Sequence, residues 1–188
     1  MKEAIGGSYI FQIVIIFIAL FSSFIVYSVS YSKAFRVKNQ VLDLIEQFQG
    51  YTESMTGDDL TVLSDQELMD NGSVEALAYK DIRNYGYKHD ILDGNDDLCY
   101  TTLDDYNTST IYNVKGEMKT GGYCVFKKCN NNIANRNTTY KVTAFIALQI
   151  PVINVIVKVP ISGETKTIYT DASTMECSTG EDDFGEGD

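Results

Sequence analysis

Asp93-Gly94-Asn95-Asp96-Asp97 is the one stretch of this chain whose side chains are spaced as a ligand set. Asp93, Asn95 and Asp97 fall at the first, third and fifth positions of a D-x-N-x-D loop and Asp104 at the twelfth, the way oxygen donors wrap a calcium ion. Leu98 stands at the sixth position, where such a loop wants glycine for its sharp turn. Aspartate at the twelfth is also a poorer bidentate ligand than glutamate. The preferred reading is a solvated acidic turn between helix and strand, with calcium the single candidate cofactor.

Other chemistry is scarce. His89 is the only histidine, which removes most acid–base and nucleophilic arrangements, and no serine sits in a G-x-S-x-G context. No glycine-rich phosphate loop is present, and Asp43 with Glu46 reads as the solvated face of a helix. The expectation is a protein without catalytic residues.

The four cysteines, Cys99, Cys124, Cys129 and Cys177, all lie in the second half of the chain, and an even count in a small membrane-tethered domain suggests disulfides in an oxidising compartment. Three connectivities exist. Cys124 with Cys129 fits least well if CVFKKC is one strand, because five residues of strand span roughly 16 Å and a disulfide needs Cα atoms within about 7 Å. The paired short spacings of a zinc site are absent.

The element that must position all of this is the apolar run Tyr9 to Val29, free of charge and long enough to cross a hydrocarbon core as a helix. Its polar residues are Gln12, Ser22, Ser23 and Ser28, and small hydroxyls can bond back to the preceding turn in lipid. Tyr31, Phe35, Leu42, Ile45 and Phe48 continue a helical period until Gly50, so span and amphipathic stalk form one rod, roughly 60 Å long. A cleaved secretory signal with Ser28-Val29-Ser30 as its site would discard the most organised part of the sequence.

The net charge is −11, and the one basic cluster, Lys33, Arg36 and Lys38, follows the span. No basic face exists to track phosphates, so nucleic acid is not an expected partner, and the cluster reads as contact with anionic lipid headgroups. Two topology rules disagree here. The positive-inside count favours a cytoplasmic domain, whereas the cysteines favour an oxidising compartment. The reading adopted places the amino terminus in the cytoplasm and the domain outside.

Beyond the rod, Gly50 to Leu63 reads as a linker and Ser64-Asp65-Gln66-Glu67 as a capping box opening a short helix. Ser73 caps a second helix whose Val74, Leu77, Ala78 and Ile82 form an apolar stripe meant for a sheet. Alternation then predicts strands around Leu98 to Leu103, Ser109 to Val114, Tyr123 to Lys128, Tyr140 to Ile150 and Val155 to Val159. Ser162-Gly163-Glu164 reads as a turn before a last strand near Lys166 to Tyr169.

Two local features carry a family resemblance. Gly7 immediately precedes the apolar run with Gln12 at the fifth position after it, and Val142 to Tyr169 reads VTAFIALQIPVINVIVKVPISGETKTIY. With the rod-and-sheet layout, they resemble type IV pilin-like proteins, in particular the TadE-like minor pilins of tight-adherence (Tad) pili. The resemblance implies a prepilin peptidase cut between Gly7 and Ser8, and a terminal strand pair with a proline-containing turn near the membrane. Processed pilins usually carry glutamate where Gln12 stands, to pair with a neighbour's new amino terminus; Gln12 offers a hydrogen bond without charge.

The expectation is therefore an α+β chain: a leader at 1–7, a transmembrane and stalk helix at 8–49, a linker at 50–63, a domain at 64–177 and an acidic tail at 178–188. That domain is a small, mainly antiparallel β-sheet with one or two short helices. The expected role is a pilin-like minor component of a membrane-assembled surface filament or secretion apparatus. Its partners would be the membrane and other pilin-like subunits or an assembly platform, with Gln12, Ser22 and Ser23 as rod-packing residues. The alternative is a monomeric, signal-anchored extracytoplasmic binding module.

Overall fold

Span and stalk are one helix. The computed structural model describes residues 2–54, 60–87, 99–104, 111–115, 118–130, 137–150 and 155–169. In it α1 runs Lys2–Gln47, 46 residues and so roughly 69 Å. It begins earlier than the sequence predicts, through Gly6 and Gly7. A helical glycine costs only about 1 kcal/mol, which a long cooperative helix absorbs. It ends in a Schellman arrangement: the Gly50 amide donates to the Ile45 carbonyl at 3.0 Å and the Gln49 amide to that of Glu46 at 3.4 Å. The left-handed residue is Gln49 (φ 54°), one position before the glycine expected to stop the helix.

The segment after α1 is tied down at once. The Thr52 hydroxyl accepts from the Val74 amide at 3.0 Å, and the Thr52 carbonyl accepts from Glu75 at 3.1 Å. A 3₁₀ turn at Leu60–Val62 precedes α2 (Asp65–Asn71). The predicted capping box is present there, with the Ser64 amide donating to Glu67 at 2.8 Å and the Glu67 amide to Ser64 Oγ at 3.4 Å. The Ser64 hydroxyl also donates to the Glu67 carboxylate at 2.7 Å, and this bond, with that of the Ser64 amide, lowers the Glu67 carboxyl from its ordinary value. Ser73 caps α3 (Val74–Asn84) by accepting from the Ala76 amide at 3.2 Å. Val74, Ala78 and Ile82 face the main core, while Ala76 and Tyr79 close a smaller cluster with Leu60 and Leu68.

The described strands form two antiparallel sheets. β1 (Tyr100–Asp104) pairs with β2 (Ile111–Lys115). The larger sheet has the order β3 (Met118–Lys119), β4 (Tyr123–Asn130), β5 (Asn137–Ile150), β6 (Val155–Glu164), with β7 (Ile168–Tyr169) beside β5 at the other end from the β5–β6 turn. The chain is thus α+β, a long apolar helix carrying a small antiparallel sheet domain with short helices.

One expected turn is a strand. Ser162-Gly163-Glu164 continues β6, pairing with Lys141 to Thr143, and only Ile168–Tyr169 remains of the last strand. Pro160 fits inside β6 because this strand pairs on one side only, where a missing amide costs no ladder bond. Gly163 is there for close approach. A β-carbon on it would lie 2.9 Å from Leu42 Cδ1 and 3.0 Å from Lys38 Cδ on α1.

The core lies between the stalk half of α1, α3 and the larger sheet. Ala34, Val37, Val41, Leu44 and Ile45 are buried on the helix, against Val142, Ala144, Phe145, Ile146, Tyr123 and Phe126. Cys99 bonds to Cys124, with Cα atoms 5.6 Å apart, and both are fully buried. That bond ties the β1–β2 hairpin to the larger sheet. Of the other two cysteines, Cys129 lies on β4 and Cys177 falls outside the described residues, as do the sequence from 178 to 188 and Asp93, Asn95 and Asp97. Asp104 ends β1, opposite Ile111.

Two measurements on the full chain in detergent check this packing. Ile45→Ala, truncating a side chain with no exposure, is expected to destabilise the domain by about 2–5 kcal/mol in urea titrations followed by tyrosine near-ultraviolet dichroism. Removing the disulfide, which closes a 25-residue separation, in the Cys99→Ala/Cys124→Ala double variant is expected to cost about 3.5 kcal/mol.

Candidate functional site

The functional surface this fold presents is α1 itself. It is apolar all round where it is bare and one-sided where it meets the domain. From Tyr9 to Val29 every residue is exposed, including Phe11, Phe17, Leu20 and Phe24, each about two-thirds exposed. Ala34 is the first buried residue after the apolar run. One helix of the described chain is long and apolar enough to cross a membrane, and none of its apolar window is covered by protein.

The sequence-predicted residues take distinct places on it. Gly7 and Ser8 lie within α1, whose backbone runs through their junction unbroken. Gln12, Ser22 and Ser23 are exposed on the bare half. Ser23 Oγ donates to the Ala19 carbonyl at 2.9 Å, the back-bonding expected of a hydroxyl in lipid. Gln12, Ser23, Ala34 and Ile45 follow at equal intervals of roughly three helical turns, so they lie along one line of α1. The lower part of that line is the part buried against the sheet.

Just beyond the apolar run, the basic cluster serves the domain as well as the surroundings. Lys33 Nζ donates to the Gly86 carbonyl at 2.9 Å, and Lys38 Nζ lies 4.3 Å above the Phe35 ring. Tyr27, Tyr31 and Phe35 form a row with ring centroids 6.2–6.3 Å apart, each still two-fifths or more exposed. Aromatic and basic residues of this kind collect where a helix leaves a bilayer.

A set of buried tyrosines ties the parts of the domain to one another. Past the Tyr123–Ala144 pair that ends the β4–β5 ladder, Tyr87 Oη accepts from the Phe145 amide at 2.9 Å. It donates its one proton towards the Phe145 carbonyl at 2.7 Å, with the Gly122 carbonyl at 3.1 Å. Tyr51 and Tyr123 share a bond of 3.1 Å between their hydroxyls. Burial pushes all three phenols above their ordinary range, so they stay protonated and act as fixed hydrogen-bonding posts. Sequence reasoning missed them, because a tyrosine in a turn such as NYGY carries no periodic signal.

At the stalk's end, the Lys166 amide donates to Glu46 at 2.9 Å and its ammonium lies 3.5 Å away, which together hold the Glu46 carboxyl low. Two open grooves flank this joint. One of about 320 Å³ is lined by Glu46, Gln49 and Lys166 to Tyr169, the other of about 350 Å³ by Tyr51, the Glu53–Lys119 ion pair, Val125, Lys127 and Tyr140. Among the described residues no group of histidine, cysteine and acidic side chains is placed to hold a metal. Comparison with protein-family models, with curated proteins and with solved structures finds no match.

Tyr87→Phe tests the tyrosine joint. It leaves the buried Phe145 backbone groups without their partner and is expected to cost about 1–3 kcal/mol of domain stability in urea titration.

Proposed function

We propose that this chain is a structural subunit, a pilin-like minor component of a membrane-assembled surface filament or secretion apparatus. Its amino terminus is cytoplasmic, α1 spans the membrane and the domain lies outside. The observation that carries this reading is the weld between rod and domain. The helix that leaves the bare half enters the hydrophobic core within five residues, from Val29 to Ala34, without a hinge. The position of the rod therefore sets the position of the sheet. An assembly unit needs that property; a tethered binding module gains nothing from it and works as well on a flexible linker.

Further support comes from the line of Gln12 and Ser23 on α1 and from the resemblance to TadE-like minor pilins. In lipid, rod-to-rod contact rests on close packing and polar groups rather than on apolar burial, and this line supplies a free-standing amide in the deep half of the span. The buried Cys99–Cys124 bond fits an oxidising compartment for the domain.

Two measurements test the proposal together. Intact mass of protein from its native membrane is expected to show a chain beginning at Ser8. Mild oxidation of a Gln12→Cys variant in those membranes is expected to give cross-linked dimers and higher species. A full-length amino terminus together with an uncross-linked monomer would overturn the reading.

A further inference from the structure

The geometry points to a binding site for a small monocarboxylate, in the groove where the stalk ends and the sheet continues. α1 stops at Gln47, whereas β4 runs on to Asn130 and β5 begins at Asn137. Val142 pairs with Gly163, which lies against Leu42, so its face of the sheet is the one turned to the stalk. On that face the register sets Tyr123 beside Ala144, Val125 beside Val142 and Lys127 beside Tyr140. Along β4 the cover thins: Tyr123 is buried, Val125 half-buried and Lys127 exposed. Tyr51 and Glu53, which follow the helix, and Lys119 on β3 wall the opening, leaving about 350 Å³, room for a small ligand.

The charges of this groove do not cancel. Lys119 ends against the Glu53 carboxylate, with the Tyr51 ring centroid 5.9 Å from its ammonium. Lys127 has no ion-pair or hydrogen-bond partner among the described residues. One ammonium is therefore left over, in a chain whose net charge is −11. That overall charge repels anions at a distance, so an anion held here is held by contacts within the groove.

Tyr140 supplies a second donor. Burial pushes its phenol up, against the opposing pull of the Tyr51 backbone, so it keeps its proton at neutral pH. Among the described residues no acceptor takes that proton. Lys127 and Tyr140 are direct cross-strand partners, with β-carbons roughly 5 Å apart, so one carboxylate accepts from ammonium and phenol together. Val125 and the Tyr51 ring offer its carbon body an apolar wall. Glu53 limits the ligand's charge. Its carboxylate already occupies Lys119, and it would repel a dianion, where a single carboxylate is matched by Lys127.

Benzoate is the probe and benzamide its uncharged isostere, each titrated into the full chain in detergent and read by saturation-transfer NMR against a protein-free micelle blank. Benzoate is expected to bind about tenfold more tightly than benzamide. Lys127→Gln is expected to weaken benzoate about tenfold and Tyr140→Phe about threefold, and Glu53→Gln to tighten it about threefold by removing the carboxylate that competes for Lys119. Lys80→Gln, on α3, removes the same charge away from the groove and is expected to change nothing. Lys127 is exposed, so its variant keeps the test open if Tyr140→Phe fails to fold, and tyrosine near-ultraviolet dichroism checks each fold. Absence of benzoate binding, equal binding of benzamide, or an affinity that Lys127→Gln and Glu53→Gln leave unchanged overturns the site. Displacement of benzoate by equimolar inorganic phosphate makes it a site for any anion and overturns its assignment to monocarboxylates.

Discussion

One uninterrupted hydrogen-bonded helix has to satisfy two solvents, and the rest of the structure follows from how α1 does it. In lipid, a helix closes its backbone hydrogen bonds within itself and needs apolar side chains on every side that lipid touches. In a domain it needs them on one side only. The change occurs between Val29 and Ala34, within the aromatic row and where the basic cluster begins, and no glycine or proline softens the passage. A hinge at that point would let domain and span move apart; its absence makes the stalk a structural element of both.

The domain answers this constraint by arranging itself around β5. That strand receives β4 on one edge and both β6 and β7 on the other, and it carries the face that packs on the stalk. Where the ladders fail, side chains take over. Tyr87 meets the backbone of Phe145 beyond the end of β4, and Thr165 Oγ1 accepts from the Tyr140 amide at 2.9 Å where the chain passes from β6 to β7. Thr143 and Ser162 share a hydroxyl bond of 2.9 Å across β5 and β6. Each is a buried or half-buried polar group, and leaving any of them unpaired would cost more than the bond returns when made.

Much of this was legible from residues whose meaning is local. Apolarity over Tyr9 to Val29, the Ser64–Glu67 box, the Ser73 cap and the alternation of β4 and β5 each depend on neighbours within a few positions, and each is found where the sequence puts it. The failures are where the deciding contact is distant. Ser162-Gly163-Glu164 has turn composition, but Gly163 is small because Leu42, far away in sequence, lies against it. Gln49 takes the left-handed conformation that Gly50 was expected to supply, since the closing bonds to Glu46 and Ile45 set the geometry. The tyrosine posts have no pattern because each is placed by a different partner. The pairing of Cys99 with Cys124 needed the sheet, for spacing alone left three connectivities open.

The line Gln12, Ser23, Ala34, Ile45 gives these parts a common direction. On the stalk, its residues are spent against the sheet; in the span, the same side of the helix is bare and carries Gln12 and Ser23. Ser23 has already used its hydroxyl on Ala19, so what it offers a neighbouring rod is smallness rather than a bond. Gln12 is different in kind: an amide has more donors and acceptors than a helix can satisfy from within. It sits 17 residues before Val29, roughly 25 Å deeper, well away from any level the sheet reaches. Domain and span thus divide one helix face between them, the outer part closed by the chain's own sheet and the inner part bare. A simple anchor has no use for such a division, and the proposed reading as a subunit gives it one, since a neighbouring rod would meet the bare part.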